Sequence, residues 1–325
     1  MNRNIISSQP TREVPELERL AQQMTMYMEG QEQQGRSFNR PFRVDALLKT
    51  VQLKQLIAIE HGLNLDLAFL EHLRTLTHQR WAASIEPTNA GWLQAIIGVG
   101  AGNRSKYLNL EATRDGVHAI IAGGTGAGKS ELLMTLIVSL ALRYDPSMLN
   151  FVLVDYKGGG AFKPFEHLPH CVSTVTNLNK AAVKRMFTAI RAELEARQKL
   201  NVETKTENIV DYQRNGYHLS GKPYPFLFII IDEYAEMISD NPEFREELDS
   251  ITRVGRAQGV HLFLASQRPT GVSDQMRENI KLRICLRVEQ VDTSRELLRR
   301  SDAAYLPSEM PGRGYLQVGN ENIEL

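Results

Sequence analysis

The stretch GGTGAGKSELL, residues Gly123 to Leu133, matches the pattern G-x-x-x-x-G-K-[ST]. Its context gives the pattern meaning. HAIIAG on its N-terminal side reads as a strand, and KSELLMTLIVSLALRY on the other side reads as a helix with Leu132, Leu133, Leu136, Ile137 and Leu140 inward. A strand, a glycine-rich loop and a helix in that order form a phosphate-binding unit. Gly123, Gly124, Gly126 and Gly128 let backbone N–H groups turn toward phosphate oxygens without Cβ clashes. The helix offers its N-terminus and the positive end of its dipole. Lys129 brings a charge to the β- and γ-phosphates, and the Ser130 hydroxyl is a Mg²⁺ ligand of the expected type. The expected nucleotide-binding stretch is Gly123, Gly124, Thr125, Gly126, Ala127, Gly128, Lys129, Ser130 and Glu131.

About a hundred residues later comes FLFIIIDEYAEM, an apolar run ending in Asp232-Glu233. Such a run places its acids at the carboxyl edge of a buried strand, where open α/β sheets bind ligands. Asp232 is expected to hold Mg²⁺ with Ser130. Glu233 is expected to act as general base on the attacking water. A Glu directly after the metal Asp points to a hydrolysing, motor-type ATPase. HLFLASQRP supplies another strand end, and Gln267 there is placed to sense the γ-phosphate.

The texture from Trp92 onward alternates between apolar strand-like runs and helical stretches. LQAIIGV, HAIIAG, FVLVDY, FLFIIIDE, HLFLAS, RICLRV and GYLQV are the strands; 129–143, 179–200, 242–257 and 292–299 are the helices. Continuous apolar runs suit strands buried on both faces, so the fold expected is α/β, with a mainly parallel sheet covered by helices on both faces. Residues 1–42, with dense Gln, Pro10, Pro15 and Pro41, read as a poorly structured or peripheral segment, and Met24, Met26 and Met28 as part of a short amphipathic helix. Residues 43–82 read as a small helical region, followed by a turn-rich linker at 86–91.

Several features carry weaker readings. VDYKGGGAF ends a strand at Asp155 and continues into Gly158-Gly159-Gly160, either a mobile loop facing a substrate or neighbour, or a plain flexible loop. In NKAAVKRMFTAIRAELEARQKL, Val183, Met186, Phe187, Ile190 and Leu194 face inward, while Arg185, Arg191 and Arg197 read as solvated, like Arg253 and Arg256 elsewhere. His167, His170 and Cys171 lack a partner pair at zinc spacing. The 38 basic and 38 acidic residues balance, so no global field draws nucleic acid or an anionic membrane. Two cysteines make no disulfide framework, and the N-terminus has no signal-peptide core. A cytoplasmic location is expected, with any membrane contact made through partner subunits.

GGTGAGKSELL, VDYKGGGAF with LPHCVSTVTNL, FIIIDEYAEM, GVHLFLASQRP and PGRGYLQVG occur in this order. Together they resemble the FtsK/SpoIIIE ATPases, most of all the EccC/EssC ATPases of type VII secretion. The resemblance covers roughly residues 92–325. It implies a RecA-like P-loop core, ATP with Mg²⁺, and ring-shaped, usually hexameric, assemblies or sister ATPase modules. It also implies an arginine reaching in from a neighbouring subunit. Matching the helix KRMFTAIRAELEARQ to the family makes Arg185 the first candidate and Arg191 the second. Secretion ATPases usually carry transmembrane helices and tandem modules, whereas this sequence shows one module and no membrane span. The resemblance favours a secreted helical protein as substrate; the alternative is a double-stranded DNA translocase.

Overall fold

The computed structural model describes residues 68–100, 104–176, 180–319 and 321–324. The expected peripheral segment at 1–42, and the part of the helical region before residue 68, lie outside the described residues.

The first described helix is α1 (Ala68–Ile85). An antiparallel hairpin of β1 (Gln94–Gly100) and β2 (Arg104–Asn109) follows, forming its own two-stranded sheet. β3 (Ala119–Ala122) leads into α2 (Lys129–Ala141), then β4 (Leu149–Asp155) and β5 (Cys171–Thr176). The long α3 (Lys180–Thr204) is followed by short α4 (Ile209–Arg214) and α5 (Tyr217–Ser220). β6 (Phe226–Asp232), α6 (Tyr234–Asp240), α7 (Arg245–Val254) and β7 (Val260–Ser266) come next. The chain closes with α8 (Asp274–Asn279), β8 (Leu282–Leu286), α9 (Val291–Leu298), β9 (Gly314–Val318) and β10 (Glu321–Glu324).

The main sheet has the order β10-β9-β8-β3-β7-β6-β4-β5. The six strands from β8 to β5 pair in parallel; β9 is antiparallel to β8, and β10 to β9. The strand of the phosphate-loop unit, β3, is therefore central, flanked by β7 and β8. Strand alternation sorts the side chains into two cores. Ile121, Phe151, Leu153, Phe228, Ile230 and Phe263 point to one face, under α2, the β1–β2 hairpin and part of α1. Ile120, Val152, Val154, Ile229, Ile231 and Leu264 point to the other, under α3, α6, α7 and α9. Burial on both faces is the reason these strands read as unbroken apolar runs.

One strand expected from sequence sits elsewhere. LQAIIGV forms β1 outside the main sheet, with Ala95 and Ile97 packed on α2, so its apolar run reflects helix contact rather than a central strand. The stretch at 86–91 is turn-rich, and it packs as a corner. Pro87–Asn89 make a 3-10 turn, and Gly91 has φ +80° with Val210 filling the space where a Cβ would stand. Trp81 of α1 is buried, donates from Nε1 to the Ala141 carbonyl at 2.8 Å and meets the His170 ring edge-on. Arg197, expected in solvent, is instead buried: it donates to Glu193 and to the Gln258 carbonyl and lies over the Tyr224 ring. Its long apolar stem lets it cover the aromatic while its head stays paired.

Candidate functional site

Parallel pairing puts the carboxyl ends of β3, β4, β6 and β7 at one edge. In the β4–β6 ladder, the last paired residues are Asp155 and Asp232. The loop after β3 is fastened to its neighbours by backbone bonds. Gly123 N–H donates to the Ser266 carbonyl at the end of β7 (3.2 Å), and Gly124 N–H to the Arg287 carbonyl just after β8 (2.8 Å). These contacts explain the first two glycines, since a Cβ on Gly123 would lie 3.1 Å from the Leu286 Cβ and one on Gly124 3.4 Å from the Arg287 carbonyl oxygen. Gly126 and Gly128 take φ +72° and +97°, the left-handed region where only glycine is unstrained. Gly128 caps α2, whose first bond runs from Leu132 N–H to the Gly128 carbonyl. The amides of Lys129 and Ser130 thus have no intrahelical acceptor and lie at the helix's positive end.

Lys129 Nζ donates to both Asp232 and Glu233, the latter at 2.8 Å, and all three side chains are largely buried. A cation shared between two adjacent carboxylates offsets part of the cost of holding them out of water. Burial pushes the Asp232 carboxyl above the ordinary range, against the pull of Lys129, and the neighbouring Glu233 and Asp155 add to the rise. Glu233 has φ +60° and ψ 41°, a left-handed conformation in a non-glycine residue, and it caps α6. Backbone strain of this kind clusters where a side chain must be aimed.

The other expected site residues divide. Thr125 is exposed, Ala127 is buried under the loop, and Ser130 and Glu131 lie half-buried in the first turn of α2. Gln267 follows the end of β7, whose Ser266 carbonyl already holds Gly123, so it stands at the same rim. Arg185 is apart from this cluster. It is exposed on α3 and makes no ion pair among the described residues. Arg191 is ion-paired to Glu247 of α7. His170 is buried with Nε2 on the Tyr144 carbonyl (2.7 Å) and burial lowers its pKa to about 4, while His167 is exposed. The residue types present suit a magnesium nucleotide: two carboxylates meet one ammonium beside the glycine loop, and the first turn of α2 carries the Ser130 hydroxyl and the Lys129 and Ser130 amides at its positive end.

Sequence reasoning missed how the loop is closed from behind. The Gly312 N–H donates to the Ala127 carbonyl at 2.8 Å, with Gly312 at φ +90°. The P-G-R-G pattern before β9 is the signal that marks this turn.

The FtsK/SpoIIIE family model matches residues 82–271, more than half of the chain. The chain belongs to the FtsK/SpoIIIE family. Among curated relatives, the ESX secretion system protein EccC of Geobacillus thermodenitrificans is 38% identical over 296 residues, which is 81% of this chain and 20% of EccC. Among solved structures, the cytoplasmic domain of the type VII secretion ATPase EccC of Thermomonospora curvata superposes with a TM-score of 0.67 at 37% identity. That match covers 73% of this chain and 29% of the other. ATPases 2 and 3 of the same EccC, in complex with a signal sequence peptide, share the fold at 24% identity and a TM-score of 0.60. There the match covers 73% of this chain and 44% of theirs. The chain is therefore an FtsK/SpoIIIE-type ATPase domain, spanning about a fifth of the length of the EccC relative.

Proposed function

We propose that this FtsK/SpoIIIE domain binds ATP with Mg²⁺ and hydrolyses it to drive export of a protein substrate by a type VII-like machine. The observation that carries the reading is the Lys129 ammonium bonded to both Asp232 and Glu233 beside the glycine loop. In this reading Gly123 to Glu131 hold the nucleotide, residues 92–325 form the module, and α1 docks on it. Ser130 and Asp232 would hold Mg²⁺, which when bound neutralises phosphate charge and draws electrons from the scissile bond. Arriving phosphates compete with the two carboxylates for Lys129. The transfer of Lys129 to phosphate frees Glu233, whose Oε1 then accepts a proton from the attacking water. Gln267 orients that water or the γ-phosphate from the adjacent strand end.

Arg185 is exposed on α3 and so is free to reach a neighbour; it is proposed as the residue that completes a nucleotide site in trans, with Arg191 next. This implies a ring, or sister modules of the kind the relatives carry, working at the cytoplasmic side with the membrane reached through partners. No described helix is long and apolar enough to cross a membrane. A protein substrate is favoured because the matched relatives are secretion proteins and one of them is solved with a signal sequence peptide.

ATPase rate against protein concentration, with a helical secreted protein or with plasmid DNA over a salt series, tests the reading. Stimulation by the protein substrate and indifference to DNA are expected. Length-dependent stimulation by DNA with a steep salt slope would make this a DNA translocase instead. Mixing Arg185→Ala with Glu233→Gln subunits should restore activity lost in each alone.

A further inference from the structure

The loop after β4 grips the helix that carries Glu233. Asp155, buried at the end of β4, accepts from Gly158 N–H with Oδ1 (2.9 Å) and from Gly160 N–H with Oδ2 (2.8 Å). Gly158 and Gly160 have φ +71° and +74°, so the triple glycine is a defined turn folded around one carboxylate. That turn fixes the two residues between. The Tyr156 hydroxyl donates to Asp240 Oδ2 (2.6 Å) and accepts from Asn241 Nδ2 (3.3 Å). The Lys157 ammonium pairs with Glu236 Oε1 (2.6 Å). Glu236 and Asp240 are four apart on α6, hence on one side of it, one turn above the other. Tyr156 and Lys157 therefore clasp α6 near both of its ends.

The residue at the head of α6 is Glu233, held at φ +60° with its carbonyl accepting from Glu236 and Met237 N–H. A left-handed non-glycine residue keeps its conformation only while its surroundings over-determine it. The Lys157–Glu236 pair is close to half exposed at both ends, and such pairs add little to stability. Its value lies in geometry: a small rotation of α6 swings the Glu233 carboxylate away from the water it must activate, and catalysis falls steeply with such misplacement.

We propose that Tyr156 and Lys157 are positioning residues for Glu233, acting through α6. The proposal rests on the reading of Glu233 as the hydrolytic base. The test is steady-state ATPase and nucleotide affinity of Tyr156→Phe, Lys157→Met and the double variant, with melting temperature alongside. The double variant is expected to lose kcat by tenfold or more, while KM and ATP Kd stay within twofold and the melting temperature stays within a few degrees. Lys157→Glu alone should lose kcat, and adding Glu236→Lys should restore most of it. In a Glu233→Gln background the double variant should have no further effect. Unchanged kcat in the double variant would overturn the proposal. So would a loss of kcat that tracks a loss of affinity or melting temperature and is not rescued by the charge exchange. Absence of turnover in the assembled parent protein would overturn the ATPase reading and this one with it, whereas turnover insensitive to Tyr156 and Lys157 overturns this one alone.

Discussion

Lys129 has two tasks at the scale of the residue, and they predict two separate costs. As a phosphate ligand it contributes a charge-assisted hydrogen bond, about 1.5–3 kcal/mol, so Lys129→Ala should weaken ATP binding by roughly ten- to a hundredfold. As the shared counter-charge of two buried carboxylates, its removal should also destabilise the nucleotide-free protein by about 3–5 kcal/mol. Equilibrium unfolding measured without nucleotide checks the second effect, and titration with a fluorescent ATP analogue checks the first. Unaltered stability would mean that the carboxylates find another partner. Glu233→Gln keeps shape and hydrogen bonding but removes the basic carboxylate. It should bind ATP normally and lose about 10²–10⁴ in kcat, read by phosphate release.

Elements show why some structure was legible in the sequence and some was not. β3, β4, β6 and β7 are buried on both faces, so composition alone marks them. β5, CVSTVT, is an edge strand of the sheet, with none of its residues buried and Val172 open to solvent; neither period nor hydrophobicity distinguishes it from a loop. β2, RSKYLN, is defined by pairing with β1 rather than by its own pattern. The Lys129, Asp232 and Glu233 cluster was readable because its residues sit at the boundaries of strongly patterned elements. The clasp of Tyr156 and Lys157 on α6 was not, since it depends on which strand lies beside which. Gly91 belongs to this scale too. A Cβ there would lie 2.7 Å from Val210, at a φ of +80°. Gly91→Ala should therefore cost about 1–3 kcal/mol by overpacking, measured by denaturant titration. Adding Val210→Ala should recover the steric part and leave the backbone part.

For the whole molecule, three buried histidines set the acid limit. His118 and His170 have pKa values lowered to about 4 and His261 to about 3, burial being the main cause in each. His261 stacks on Phe228, with ring centroids 4.3 Å apart. Each is neutral in the folded protein, while the unfolded chain takes up a proton below about pH 6.5. The unfolded state then binds more protons, so stability is full above that pH and falls as pH drops from about 6.5 toward 4. The slope should approach about 1.4 kcal/mol per pH unit per histidine. Unfolding at a series of pH values, compared with His261→Phe, checks this: the variant should lose stability less steeply with acid.

The bond from Gly312 N–H to the Ala127 carbonyl joins the phosphate loop to a residue near the far end of the sequence. Translation is directional, so a growing polypeptide has all of its Walker-type glycines long before it has the turn that closes behind them. During synthesis this last tie on the phosphate loop can form only after residue 312 has left the ribosome. Nascent chains stalled with residue 305 outside the tunnel should bind ATP far more weakly than those with residue 319 outside. Equal binding by both would show that the loop closes without its last tie.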